Sequence, residues 1–147
     1  MGQRVTRVLC VADPRGDGDA LQRLQETVGV RDVHAIAVVG DLSADGEQAG
    51  YRTVFTALGK SGLPSYWVPA PGDAPVERYL REAHNLEVVF PFLHGVHGAV
   101  AFAGSHVLFA GRGGDISDDP RCAARRDGSP RLSALGARIP PPARARA

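Results

Sequence analysis

The hydrophobic and polar positions of this 147-residue chain follow two alternating periods through its first half. Val5, Val8, Leu9, Cys10, Val11 and Ala12 form a strand-sized apolar stretch within Arg4 to Ala12. Leu21, Leu24 and Val28 then recur at helical spacing. Asp17 or Asp19 is placed to cap that helix and Gly29 to end it. Ala35 to Val39 is an uninterrupted apolar run, the mark of a parallel strand covered on both faces. Tyr51, Val54, Phe55 and Leu58 give a second helical stripe, closed by Gly59 to Gly62. Ser65 to Val68 predicts a third strand. A third helix is expected from Ala74-Pro75, with Pro in its first turn and Val76, Tyr79, Leu80 and Ala83 on its apolar face.

Three strand-helix repeats predict an α/β fold with parallel strands and right-handed crossovers. After His84 the spacing shortens. Leu86 to Phe90, Ala99 to Phe102 and Val107 to Ala110 are predicted as short strands, with Gly104-Ser105 turning between the last two. Gly111 to Pro120 reads as a flexible loop. Residues 121–147 are rich in Arg, Ala and Pro and lack periodicity, so they are expected to be an unpacked tail. The expected organisation is an α/β domain over 1–120 and a low-complexity basic tail over 121–147.

Charge sharpens that division. The chain carries a net +1, yet residues 121–147 hold seven Arg against one acid, Asp127. The tail is therefore at +6 and the rest at −5. The tail has no interleaved aromatic residue and Arg is its only base, so it is read as out-of-frame or truncated sequence rather than as a nucleic-acid arm. The apolar runs are strand-sized and no signal-peptide layout precedes Val5, which predicts no membrane span and a cytoplasmic location. Cys10 lies within an apolar pattern and is expected to be a reduced core residue; Cys122 lies far from it, so no disulfide framework is expected.

The chemistry lies at the strand ends. Asp13 follows the first strand, Gly40-Asp41 the second, and Gly72-Asp73 ends the loop after the third. In a parallel sheet these positions share the carboxyl edge, where open α/β sheets bind ligands. Converging carboxylates repel one another unless positive charge relieves them. Hard divalent cations do so with oxygen ligands, and a pair of them activates water for attack on a phosphoryl group.

Asp13-x-x-Gly16, Val39-Gly40-Asp41-Leu42 and Val68-Pro69-Ala70-Pro71-Gly72-Asp73 together resemble the calcineurin-like metallophosphoesterases over roughly residues 4–120. The resemblance implies phosphoester hydrolysis by a metal-activated water, divalent Mn, Fe or Zn, and a phosphorylated small molecule or nucleotide as substrate. It implies Asp13, Asp41 and Asp73 as metal ligands, with Asp41 bridging. The pattern departs at named positions. The family's first His is Arg15, a residue that stays protonated and cannot ligate a metal. Its Asn is Asp73, the His after it is Ala74, and no His follows His106. An impaired site is expected, in which Arg15 supplies fixed positive charge beside Asp41 or Asp73 in a metal-free network, and its guanidinium matches phosphate geometry, with or without a phosphate bound. Asp41 and Arg15 are thus the candidate catalytic residues.

Two other functions compete with hydrolysis. One is a non-catalytic phosphate- or nucleotide-binding protein on the same fold. The other is a Rossmann-like dinucleotide-binding domain, suggested by Gly16-x-Gly18 after a strand and opposed by Leu21 at the third glycine position. Simpler roles compete at single residues. Asp73 is equally suited to cap a helix and Asp13 to open a turn. His94 and His97, each followed by a glycine (Gly95 and Gly98), are taken as loop residues, not as a metal pair. Gly111 to Asp115 has the composition to meet a phosphate through backbone amides, but is read as a mobile connection.

Overall fold

The structure, a computed structural model, describes residues 5, 7–44, 46–73, 76–104 and 106–113. The expected tail, 121–147, lies outside the described residues. The elements run β1 (Val8–Ala12), α1 (Gly18–Arg31), β2 (Ala35–Val39), α2 (Gln48–Ser61), β3 (Ser65–Val68), α3 (Val76–Val89), β4 (Leu93–Gly95), β5 (Val100–Ala103) and β6 (Val107–Ala110). The first four strands form one parallel sheet in the order β1-β2-β3-β4, and β5-β6 form a separate antiparallel hairpin.

Each helix crosses over to the next strand of the sheet and packs its apolar stripe on one face. Tyr51, Val54, Phe55 and Leu58 of α2 are buried with Ile36, Val38, Trp67 and Leu93 from the strands. The Phe55 and Trp67 rings meet edge to face at 4.9 Å, the geometry aromatic quadrupoles favour. The hairpin covers part of the other face, where Phe109 stacks on Tyr66 at 4.1 Å and the Tyr66 hydroxyl donates to the Phe102 carbonyl.

Several expectations change. Cys10 is exposed, not core. β1 is an edge strand whose Val8, Cys10 and Ala12 side lies beyond the hairpin's cover among the described residues. The first helix passes through Gly29 to Arg31 and closes on Asp32, left-handed at φ 52°. Leu86 to Val89 is helix, not strand: Leu86 extends the Tyr79, Ala83 stripe into the core, while Val88 and Val89 face outward. Leu80, expected on the buried face, is 56% exposed. The fourth parallel strand is instead Leu93–Gly95, so His94 is a strand residue, stacked on Tyr66 at 5.5 Å.

The strand order bears on the dinucleotide alternative. A Rossmann crevice opens where strand order reverses, and this sheet runs in sequence without reversal. Gly16 and Gly18 also have another reason to lack side chains. A Cβ on Gly16 would stand 2.8 Å from Gly50 Cα, and one on Gly18 2.7 Å from Thr53 Cγ2. The two glycines let α1 approach α2.

Candidate functional site

Parallel pairing brings the carboxyl ends of β1, β2 and β3 to one edge, and Asp13, Asp41 and Asp73 all lie there. Short backbone bonds lock the three loops together. Asp13 N–H donates to Val39 O (3.1 Å), Gly40 N–H to Val68 O (3.1 Å), and Arg15 N–H to Asp41 O (2.9 Å). Of the four non-glycine residues with positive φ among the described residues, three are in this group: Asp13 at 47°, Arg15 at 48° and Asp41 at 29°. Such conformations cost on the order of 1–3 kcal/mol each and persist only where the surroundings enforce them.

The three carboxylates have different surroundings. Asp13 is exposed, with Oδ1 lying over Gly40; a Cβ on Gly40 would come within 2.9 Å of it. Asp41 is partly covered and lies against Gly72, where a Cβ would overlap Oδ1. Asp73 is wholly buried. Its Oδ1 accepts from Ser43 N–H (3.1 Å) and its Oδ2 from Ala70 N–H (2.9 Å), so it ties the loop after β2 to the loop after β3. Burial pushes the Asp73 carboxyl above its usual range; amides of Ala70, Ser43 and Leu42 oppose this, and the charge of Asp41 adds to it.

Arg15 reaches Asp41, with Nη2 3.5 Å from Oδ2. The same two residues are thus joined through backbone and side chain. The partner expected for Arg15 was Asp41 or Asp73, and it is Asp41 that pairs.

The donor set can be compared with what a metal pair needs. Both Asp73 oxygens are occupied by amide donors, Asp41 faces a guanidinium, and position 15 carries no imidazole. Among the described residues no group of three His, Cys, Asp or Glu is arranged to hold a metal ion. The residues present do not fit a two-metal centre. Ala74 lies outside the described residues. His97, just past the carboxyl end of β4, accepts from Gly113 N–H through Nδ1 (2.9 Å), and its backbone bridges to Gly111. The start of the glycine-rich segment, expected to be mobile, is therefore fastened to the sheet. The His97 contact that holds it was not recognisable in the sequence, because its two members are far apart along the chain.

The structure is an α/β protein with a sequential parallel sheet and acidic loops on its carboxyl edge, the edge where such sheets bind ligands. The description "Metallophosphoesterase, calcineurin superfamily" matches residues 45–134, and the chain belongs to that family. The crystal structure of TT1561 of Thermus thermophilus is similar, at 36% identity and a TM-score of 0.72, over 78% of this chain and 52% of that one. A second solved structure, 22% identical with a TM-score of 0.63, covers 73% of this chain and 52% of its own and shares the fold. The chain spans about half the length of both. No curated protein matches it. Among the described residues, no helix is long and apolar enough to cross a membrane.

Proposed function

We propose that this chain binds the phosphoryl group of a phosphorylated small molecule or nucleotide at the Asp13, Asp41, Arg15 edge, with Arg15 as the anion ligand and at most slow hydrolysis. The Arg15–Asp41 pair carries this reading, because it puts permanent positive charge beside the carboxylate that the family pattern assigns to a metal. A guanidinium presents several donors in a fixed plane that matches phosphate oxygens, and Asp41 aims it. Asp41 also supplies a carboxylate for an attacking water, and Asp13 is the exposed carboxylate that completes the edge.

Divalent Mn, Fe or Zn would supply charge neutralisation and an activated water in a complete family site. The donors here do not fit such a centre. A positioned acid or base contributes on the order of a hundred- to ten-thousand-fold, and Ala74 stands where the family pattern has an imidazole, which limits turnover. Titration of the full chain with inorganic phosphate tests the binding role. Saturable binding that weakens by about tenfold or more in Arg15→Ala is expected; binding insensitive to that change would contradict it. Cytoplasmic residence and a tail that takes no part in the site belong to the same reading.

A further inference from the structure

We propose that the outer edge of β1 pairs antiparallel with the same edge of a second copy of this chain, centred on Cys10, to give a two-fold symmetric dimer.

The two ends of the parallel sheet differ. At one end β4 is only three residues long, and the outward N–H of Gly95 is taken by Glu87 Oε1 at 2.6 Å. At the other end β1 is five residues long, and among the described residues no strand pairs with its outer side. The direction of its backbone groups follows from its bonds toward β2. Asp13 N–H donates to Val39 O and Arg7 O accepts from His34 N–H, so the odd-numbered residues face β2. By alternation Val8, Cys10 and Ala12 turn their N–H and C=O groups to the open edge. Soluble proteins guard such an edge with charge, proline or a bulge. Val8 to Ala12 has no charged residue and no proline, and its register with β2 runs without a bulge. Val8, Cys10 and Ala12 are also the exposed residues of the strand.

This edge is complementary to itself. With Cys10 opposite Cys10, Val8 of each copy faces Ala12 of the other, and every one of these pairs has both backbone groups aimed across the gap. Such pairs exchange two N–H···O bonds each. The same register sets Arg7 of one copy opposite Asp13 of the other, at both ends of the ladder. Both residues are exposed, and Asp32 engages Arg7 through Nη2, one of several donor groups of a guanidinium. Opposite charges facing each other across strands stabilise a pair, and like charges destabilise it. A parallel pairing in register would set Arg7 against Arg7 and Asp13 against Asp13. The charges therefore select the antiparallel dimer, and the second copy brings a basic residue beside Asp13 at the carboxyl edge. Cys10 reports the register. Hydrogen-bonded antiparallel partners stand about 5.5 Å apart at Cα, within the ~4.4–6.8 Å that a disulfide spans.

Sedimentation velocity of the full chain, up to about 100 μM and so well above a micromolar dissociation constant, tests the pairing. A species of twice the chain mass is expected. Diamide, which takes up the two hydrogens lost when two thiols join, should link the copies through Cys10 in a Cys122→Ser background. Cys10→Lys puts like charges opposite each other at the centre and should give a monomer with an unaltered far-UV spectrum. Arg7→Glu should weaken association several-fold, because like charges then meet at both ends. A monomer at every concentration, as when residues 114–147 of the same chain cover the edge, overturns the proposal. So does a dimer that Cys10→Lys or Arg7→Glu leaves unaltered, or one that diamide does not link through Cys10.

Discussion

Arg15 and Asp41 are bonded twice, by a 2.9 Å backbone hydrogen bond and by a 3.5 Å approach of their side-chain charges. The side chains are 63% and 22% exposed, a setting in which an ion pair contributes only about 0–1 kcal/mol to stability. The pair therefore matters for the charge it places at the sheet edge. Arg15→Ala should shift the unfolding free energy by less than about 1 kcal/mol, while phosphate affinity falls by about tenfold or more. Denaturant unfolding and titration on one sample check both halves.

Asp73 is the opposite case, a buried carboxylate whose work is structural. Asp73→Ala orphans the amides of Ser43 and Ala70, at about 1–3 kcal/mol for each buried group left unsatisfied. The pH dependence has a definite sign. Burial raises the Asp73 value in the folded chain, so the folded state keeps this proton to higher pH than the unfolded state does. Its contribution to stability falls as pH rises from the ordinary carboxylate range through the raised folded value. Asp73→Asn should remove that slope. An unaltered slope in unfolding curves recorded upward from the ordinary carboxylate range would count against this assignment.

Gly72 leaves room for the Asp41 carboxylate, since a Cβ there overlaps Oδ1. Gly72→Ala should push Asp41 away from Arg15 and weaken phosphate binding about as much as loss of one partner, several-fold to tenfold. The far-UV spectrum should stay close to that of the unaltered chain, because Gly72 lies in the loop between β3 and α3.

In the core, Phe55 is fully buried against Trp67 and Tyr51. Phe55→Ala should cost about 3–5 kcal/mol, enough to unfold a marginal domain, whereas Leu80→Ala, at a position 56% exposed, should change stability little. Thermal melts of the two variants separate these outcomes.

Much of the fold was legible because its signals are local. The α2 stripe of Tyr51, Val54, Phe55 and Leu58 and the runs that became β2 and β3 carry their period within a few residues. Leu86 to Phe90 failed for the opposite reason: Val88 and Val89 are apolar yet exposed, so local hydrophobicity imitated a strand inside a helix. Cys10 failed because covering of an edge strand depends on elements elsewhere in the chain. At the site, Asp13, Asp41 and Asp73 were placed on one edge by the strand-helix order alone. That Asp73 turns back to accept backbone amides while Asp41 meets Arg15 depends on loop geometry, which no spacing encodes. The two members of the His97–Gly113 contact are sixteen residues apart and share no motif.

The central claim is that Arg15 occupies the electrostatic role of a metal at this edge. Calorimetric titration of the full chain with manganese and with zinc tests it most directly, alongside Arg15→His combined with Ala74→His. The account predicts weak, non-stoichiometric uptake by the unaltered chain and tighter binding by the double variant. Tight binding of two metal ions per unaltered chain would contradict it.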